Sequence, residues 1–262
     1  MAINMGKYSK ELNFITSVMT DAYNKYCNIN INKIDKAAFD IVTELDYNIE
    51  REISAAICDA FPGDLILGEE HSSSTEVCGR TWTIDPIDGT NNMANDLPLF
   101  GVQCSLFDNG QPVVAAIYLP FADEMFSASL GDGAYLNGKK IFAKKVDLMH
   151  SVVSFGDFSH KRQEDLEQEY KVMGHLADKV ARIRMFGAAS IDYAYVAAGR
   201  THGVVIYTKN KWDIAPGILL CHEAGAKTYS LHTKDGEYNF DSPSVITTVT
   251  EELFTCIKQA VL

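Results

Sequence analysis

Residues Trp82 to Met93 read WTIDPIDGTNNM, and this stretch poses a problem in electrostatics. A strand-like apolar run ends in Asp85 and Asp88, with Pro86 between them and Gly89-Thr90 following where a helix can begin. Carboxylates held close raise one another's pKa and cost free energy unless positive charge lies between them. Either the pair splays into water or it holds a cation.

Upstream, Leu12, Ile15, Met19, Ala22 and Tyr26 follow helical spacing, and a second helix is predicted from Thr43 to Ala60 before Pro62-Gly63 stops it. LILGEE (65–70) and TWTID (81–85) are strand signals, both ending in acids. Downstream, FGVQCSLF and PVVAAIYL are joined by Asp-Asn-Gly-Gln, and EMFSASL precedes GAYLNGKKI, which carries its own Asn-Gly turn. From Ser151 strands alternate with helices: SVVSF, a helix over 164–175, RIRMF, a helix over 188–198, GVVIY, a helix over 214–223, then KTYSL, VITTV and a last helix. We therefore expect residues 1–148 to form an α+β half with a largely antiparallel sheet, and 149–262 an α/β half. No Pro/Gly/Ser-rich linker separates them, so the halves are expected to pack tightly.

The 262 residues are 47% hydrophobic, enough for a sizeable core. A formal charge of −12 without a Lys/Arg cluster argues against nucleic acid as a partner. An anionic small substrate remains compatible, because bound metal ions invert a local field. The six cysteines are scattered without a CxxC pair, which argues for reduced thiols in the cytoplasm rather than zinc or disulfides. Neither a signal peptide nor an apolar run long enough for a membrane span is visible.

Acids at the ends of predicted elements are Glu69, Glu70, Asp85, Asp88 and Asp213, the last in KNKWDIAPG. Oxygen-only donors favour a hard cation such as Mg²⁺ over zinc or copper. The Ile87 carbonyl, in a turn stiffened by Pro86, is a further oxygen donor. Gly89-Thr90 at a helix start is a suitable seat for phosphate. Metals beside a phosphate seat point to phosphoryl chemistry. Each residue also has a structural reading: Glu69-Glu70 as an exposed pair, Asp88 as a turn residue, Asp213 as a helix N-cap, and Asp46 as the partner of Thr43 in a capping box.

Taken together, GEE, WTIDPIDGTNN and WDIAPGILLCHEAGA resemble the signature segments of the inositol monophosphatase family of lithium-sensitive, magnesium-dependent phosphatases. The resemblance covers nearly the whole chain and implies a layered αβαβα sandwich of the sugar-phosphatase type. It implies a homodimer and two or three Mg²⁺ ions per site. Glu69, Asp85 and the Ile87 carbonyl would hold the first ion. Asp85 would bridge to a second, completed by Asp88 and Asp213, and a third would lie near Glu69. Thr90, paired with Asp46, would help activate a water, while Gly89, Thr90, Gly187 and Ala188 would face the phosphate ester. The substrate would be a small soluble alcohol phosphate. Sugar-bisphosphate, 3′-nucleotide bisphosphate and histidinol-phosphate phosphatases are alternatives on the same scaffold, as is a regulatory, protein-binding member. One departure bears on substrate. Inositol-selective members carry an acid six or seven positions before the aspartate of the Trp-Asp pair, whereas this chain has Ile206 and Tyr207 there, followed by Lys209 and Lys211. If those lysines face the site, a second negative group on the substrate is favoured.

Overall fold

The structure is a computed structural model describing residues 6–27, 33–37, 40–72, 76–158, 162–233 and 235–261, with only the backbone of 33–37, 40 and 41. The chain opens with α1 (Ser9–Tyr26), β1 (Lys33–Ala37), β2 (Asp40–Thr43) and α2 (Glu44–Ala60). Then come β3 (Leu65–Gly68), β4 (Thr81–Asp88), the short α3 (Thr90–Ala94), β5 (Gly101–Asp108) and β6 (Gln111–Leu119). A meander follows through β7 (Glu124–Ser129), β8 (Gly133–Leu136) and β9 (Lys139–Ile141). The remainder is β10 (Val152–Phe155), α4 (Gln163–Leu176), β11 (Arg182–Met185), α5 (Ala189–Ala197) and β12 (Gly203–Ile206). It ends with α6 (Lys211–Glu223), β13 (Lys227–Tyr229), β14 (Val245–Thr248) and α7 (Glu251–Gln259).

Strands β3 to β9 form one sheet in sequence order, with β3 and β4 parallel and every other pair antiparallel. Its tight turns have the backbone that Asn-Gly selects: φ is 52° and 78° at Asn109-Gly110, and 47° and 74° at Asn137-Gly138. A second sheet has the order β11-β10-β12-β14-β13, parallel across the first three strands and antiparallel thereafter. The hairpin of β1 and β2 was not read from the sequence.

Side-chain alternation along the strands turns these sheets into layers. On one face of the larger sheet, Trp82 and Ile84 pack with Ile15 and Met19 of α1 and Ile49, Ile53 and Ile57 of α2. Its other face presents Ala115, Ile117, Phe126 and Ala128 to α5 and α6, which also meet Val204 and Ile206 of the smaller sheet. The intervening residue Val205, with Val153 and Phe155, points outward to Val172 and Leu176 of α4 and Leu253 and Ile257 of α7. The result is the expected αβαβα sandwich. Each fully buried isoleucine contributes roughly 1.5–3 kcal/mol.

Two helix starts bear on chemistry. Thr43 and Asp46 form the capping box of α2: the Thr43 amide donates to Asp46 Oδ2 at 3.0 Å, and the Leu45 amide to Thr43 Oγ1 at 3.2 Å. Helix α6 begins three residues before the expected Ile214, behind Asn210, which occupies the cap position. Asp213 is therefore the third residue of the helix and not its N-cap, and Pro216 lies inside the helix rather than in its first turn.

Candidate active site

The alternation that buries Trp82 and Ile84 against α1 and α2 sends Thr83 and Asp85 to the α6 face. Thr83 Oγ1 there meets Ser105 Oγ at 2.7 Å, and Asp85 Oδ2 accepts from Gln103 Nε2 at 3.2 Å. The ladder to β5 then slips, pairing Asp85 with Gln103 and next Asp88 with Gly101, a bulge that contains Pro86. Proline has no N–H to contribute to the ladder, so the bulge costs little there. Ile87 returns to the core, and Asp88 swings towards α5, where its Oδ2 accepts the Ser190 amide at 2.6 Å. A carboxylate at that helix N-terminus gains about 0.3–1 kcal/mol from the dipole.

Glu69 follows β3, held by its amide to the Ile84 carbonyl at 3.0 Å. Its carboxylate, that of Asp85 and that of Asp213 offer oxygens lying within 4.8 Å of one another. Asp85 is 1% exposed, and its Oδ1 has no hydrogen-bond partner among the described residues. Burial first, then the charges of Glu69, Asp88 and Asp213, push the Asp85 carboxyl well above the usual carboxylate range. Burial likewise raises Asp88 to about 6, against the opposing hydrogen bonds from Ser190 and Ala189. No Lys, Arg or His is among the described residues lining the cavity of about 260 Å³ onto which these acids open. Crowded together, with Asp85 Oδ1 unpartnered among the described residues, the all-oxygen donor set fits a hard divalent cation.

The rest of the cavity is built beside the acids. Gly89 has φ of 88°, and a Cβ there would lie 2.9 Å from the Leu99 carbonyl oxygen, so only glycine fits. The Thr90 hydroxyl has two acceptors in reach, the Ile87 carbonyl at 2.8 Å and Asp46 Oδ1 at 3.1 Å. Burial raises the Asp46 carboxyl, an effect opposed by its hydrogen bonds from Thr43 and Thr90. Gly187 and Ala188 complete this wall. The opposite wall is made by Asp157, Ile206, Tyr207 and Thr208, at the ends of β10 and β12.

Of the residues singled out from the sequence, Glu69, Asp85, Ile87, Asp88, Gly89, Thr90, Gly187, Ala188 and Asp213 line one cavity, Asp46 reaches it through Thr90, and Glu70 is not among its lining residues. Lys209 and Lys211 do not line it: Lys209 is exposed before α6, and Lys211 begins that helix. Several residues were missed. Gln103 bridges Asp85 and the Asp213 carbonyl, both at 3.2 Å, and a glutamine inside the apolar run FGVQCSLF was the available signal. Thr208 donates to Asp213 Oδ2 at 3.3 Å. Asn92 Nδ2 donates to the carbonyls of Leu99 and Phe186, both at 2.7 Å, and so ties the Asp85 segment to the loop carrying Gly187.

The family model of the inositol monophosphatases matches residues 8–261. The chain belongs to the inositol monophosphatase family. It is 38% identical over 198 residues to an inositol monophosphatase of Dictyostelium discoideum, a match covering 72% of each protein. Over 209 residues it is 32% identical to a fructose-1,6-bisphosphatase/inositol-1-monophosphatase of Aquifex aeolicus, covering 79% of this chain and 78% of that one. Among solved structures, the inositol monophosphatase of Anabaena superposes with a TM-score of 0.82 at 27% identity, covering 98% of this chain and 96% of that one. Members of this metal-dependent family are phosphatases, and this protein is a phosphoric monoester hydrolase. Among the described residues, no helix is long and apolar enough to cross a membrane.

Proposed function

We propose that the protein is a Mg²⁺-dependent phosphatase of a small alcohol phosphate, working in the cytoplasm as a homodimer built from halves 1–148 and 149–262. The convergence of Glu69, Asp85 and Asp213 within 4.8 Å, beside an unpartnered Asp85 oxygen, carries this reading. Glu69, Asp85 and the Ile87 carbonyl would hold one ion, and Asp85, Asp88 and Asp213 a second, with a third near Glu69. Bound there, the ions would supply Lewis acidity for a water nucleophile and for charge on the departing alkoxide.

The chain's own groups account for the remainder. The Ile87 carbonyl and Asp46 Oδ1 are the acceptors for the Thr90 hydroxyl proton, which leaves a Thr90 lone pair to accept from the attacking water; Glu69 is a second acceptor for that water. The amides of Gly89 and Thr90 face the phosphate, and Gly187 and Ala188 face the ester. No cysteine or serine nucleophile is needed.

On the alcohol side, Ile206 and Tyr207 line the cavity where inositol-selective relatives place an acid. Neither side chain can replace a carboxylate accepting two ring hydroxyls, at about 1.5–3 kcal/mol per charge-assisted bond. Weak discrimination for inositol 1-phosphate follows. A sugar bisphosphate is the second reading, favoured by the double name of the Aquifex relative. Phosphate release from a panel of inositol, sugar, nucleotide and histidinol phosphates, with Mg²⁺ and with chelator, tests both levels. Turnover that survives chelation would remove the metal reading. A specificity constant for inositol 1-phosphate at least about tenfold above all others, equal to 1.4 kcal/mol, would remove the substrate reading.

A further inference from the structure

Helix α2 carries two buried carboxylates one turn apart, Asp46 and Glu50. Asp46 holds the Thr90 hydroxyl; Glu50, four residues on, lies on the same face of the helix. Glu50 is 1% exposed. Its carboxylate accepts the Glu70 amide at 2.8 Å and the His71 amide at 3.0 Å, and His71 Nδ1 lies 2.7 Å from Oε1.

Both amides belong to the turn directly after Glu69. With the Glu69 amide bonded to the Ile84 carbonyl at 3.0 Å, the backbone is fixed on both sides of this acid. Gly68 makes room for the contact: a Cβ there would sit 2.3 Å from Glu50 Oε1. An apolar residue at position 50 would leave both amides without this acceptor, whereas a carboxylate binds them with short, charge-assisted bonds.

We propose that Glu50 is the positioning residue that sets Glu69 against Asp85 and Asp213. Helix α2 then aligns both halves of the reaction centre, the metal ligand through Glu50 and the Thr90 hydroxyl through Asp46. The proposal rests on the reading of Glu69 as a metal ligand.

The test is calorimetric titration of Mg²⁺ into the folded wild-type protein and two variants. Glu50→Gln keeps the shape but turns an amide N–H₂ towards one of the two backbone donors. Gly68→Ala leaves the charge alone and pushes the carboxylate away, at a position without left-handed backbone. Both should weaken Mg²⁺ binding by about 10–100-fold, the range for partners that orient a ligand. The half-saturating Mg²⁺ for turnover should rise in step, while metal-free unfolding temperatures stay close. Unchanged Mg²⁺ affinity in both variants overturns the proposal, as does a fall in stability without a fall in affinity. If Glu50→Gln does not fold, the Gly68→Ala isotherm decides. A wild-type protein that binds no Mg²⁺ sinks the metal reading itself, a result distinct from wild-type binding that the variants preserve.

Discussion

Gln103 Nε2 lies 3.2 Å from Asp85 Oδ2 and 3.2 Å from the main-chain carbonyl of Asp213, so one amide joins the larger sheet to helix α6. That bond satisfies only one oxygen of Asp85. The other has no partner among the described residues, and it is where a cation would bind.

Asp85→Asn keeps the shape and the bond to Gln103 while removing the charge. Activity should fall by at least about a hundredfold, since even partners outside the ligand set cost 10–100-fold. The metal-free variant should melt no lower than wild type, because a neutral amide is cheaper to bury than a crowded carboxylate. Near-normal Mg²⁺-dependent turnover would sink the assignment.

Asp213→Asn separates chemistry from capping. Asn210 holds the cap position of α6, so the substitution should cost activity severely and leave the unfolding temperature almost unchanged. A variant that only melts earlier would mean that Asp213 is structural.

Gly89→Ala should damage stability and phosphate binding together. Left-handed backbone costs a non-glycine residue about 1–2 kcal/mol, before the added methyl meets the Leu99 carbonyl. Urea denaturation and inhibition by inorganic phosphate measure the two effects; a neutral result in either contradicts the tight turn described.

Lithium should inhibit turnover by occupying an oxygen-lined Mg²⁺ position. Initial rates across lithium and magnesium concentrations test this, and rates indifferent to lithium at every Mg²⁺ level would place the protein outside the sensitive branch.

His202 gives a pH dependence away from the site. Its ring is buried, and Nδ1 accepts the Val152 amide at 2.9 Å; burial, then Lys144, hold its pKa below the ordinary value. The unfolded chain therefore binds this proton more readily than the folded one. The stability that depends on neutral His202 is full above about pH 6.5 and is lost as pH falls through the lower folded pKa. His202→Asn keeps an acceptor without the titration. The unfolding free-energy difference between the two proteins should narrow below pH 6.5, and parallel curves would refute it.

The sequence made most of this legible where a local pattern determined the outcome. Asn109-Gly110 and Asn137-Gly138 specified their turns through backbone preference, and the periodicity of α1 and α2 marked buried faces. The acids of WTIDPIDGT were visible because nothing else explained two carboxylates at a strand end. Less could be read where the partner is remote. Asp88 receives its hydrogen bond from Ser190, and Gln103 its purpose from Asp213, through pairings no local window contains. The start of α6 was misplaced because Asp213 before Ile-Ala-Pro is good cap chemistry, whereas Asn210 takes the cap position without a side-chain cap hydrogen bond. Lys209 and Lys211 suggested an anionic subsite by proximity in sequence, and neither is among the residues that line the cavity.

Glu69 after β3, Asp85 on β4 and Asp213 on α6 meet only when the larger sheet and α6 are both in place. A partly folded chain lacks Asp213 at this point, so an ion held by all three acids would favour the finished sandwich over its precursors. Ligand that binds only the native state adds about 2.7 kcal/mol at a hundredfold excess over its Kd. Cation supply would then govern how long the enzyme survives proteolysis as well as how fast it turns over.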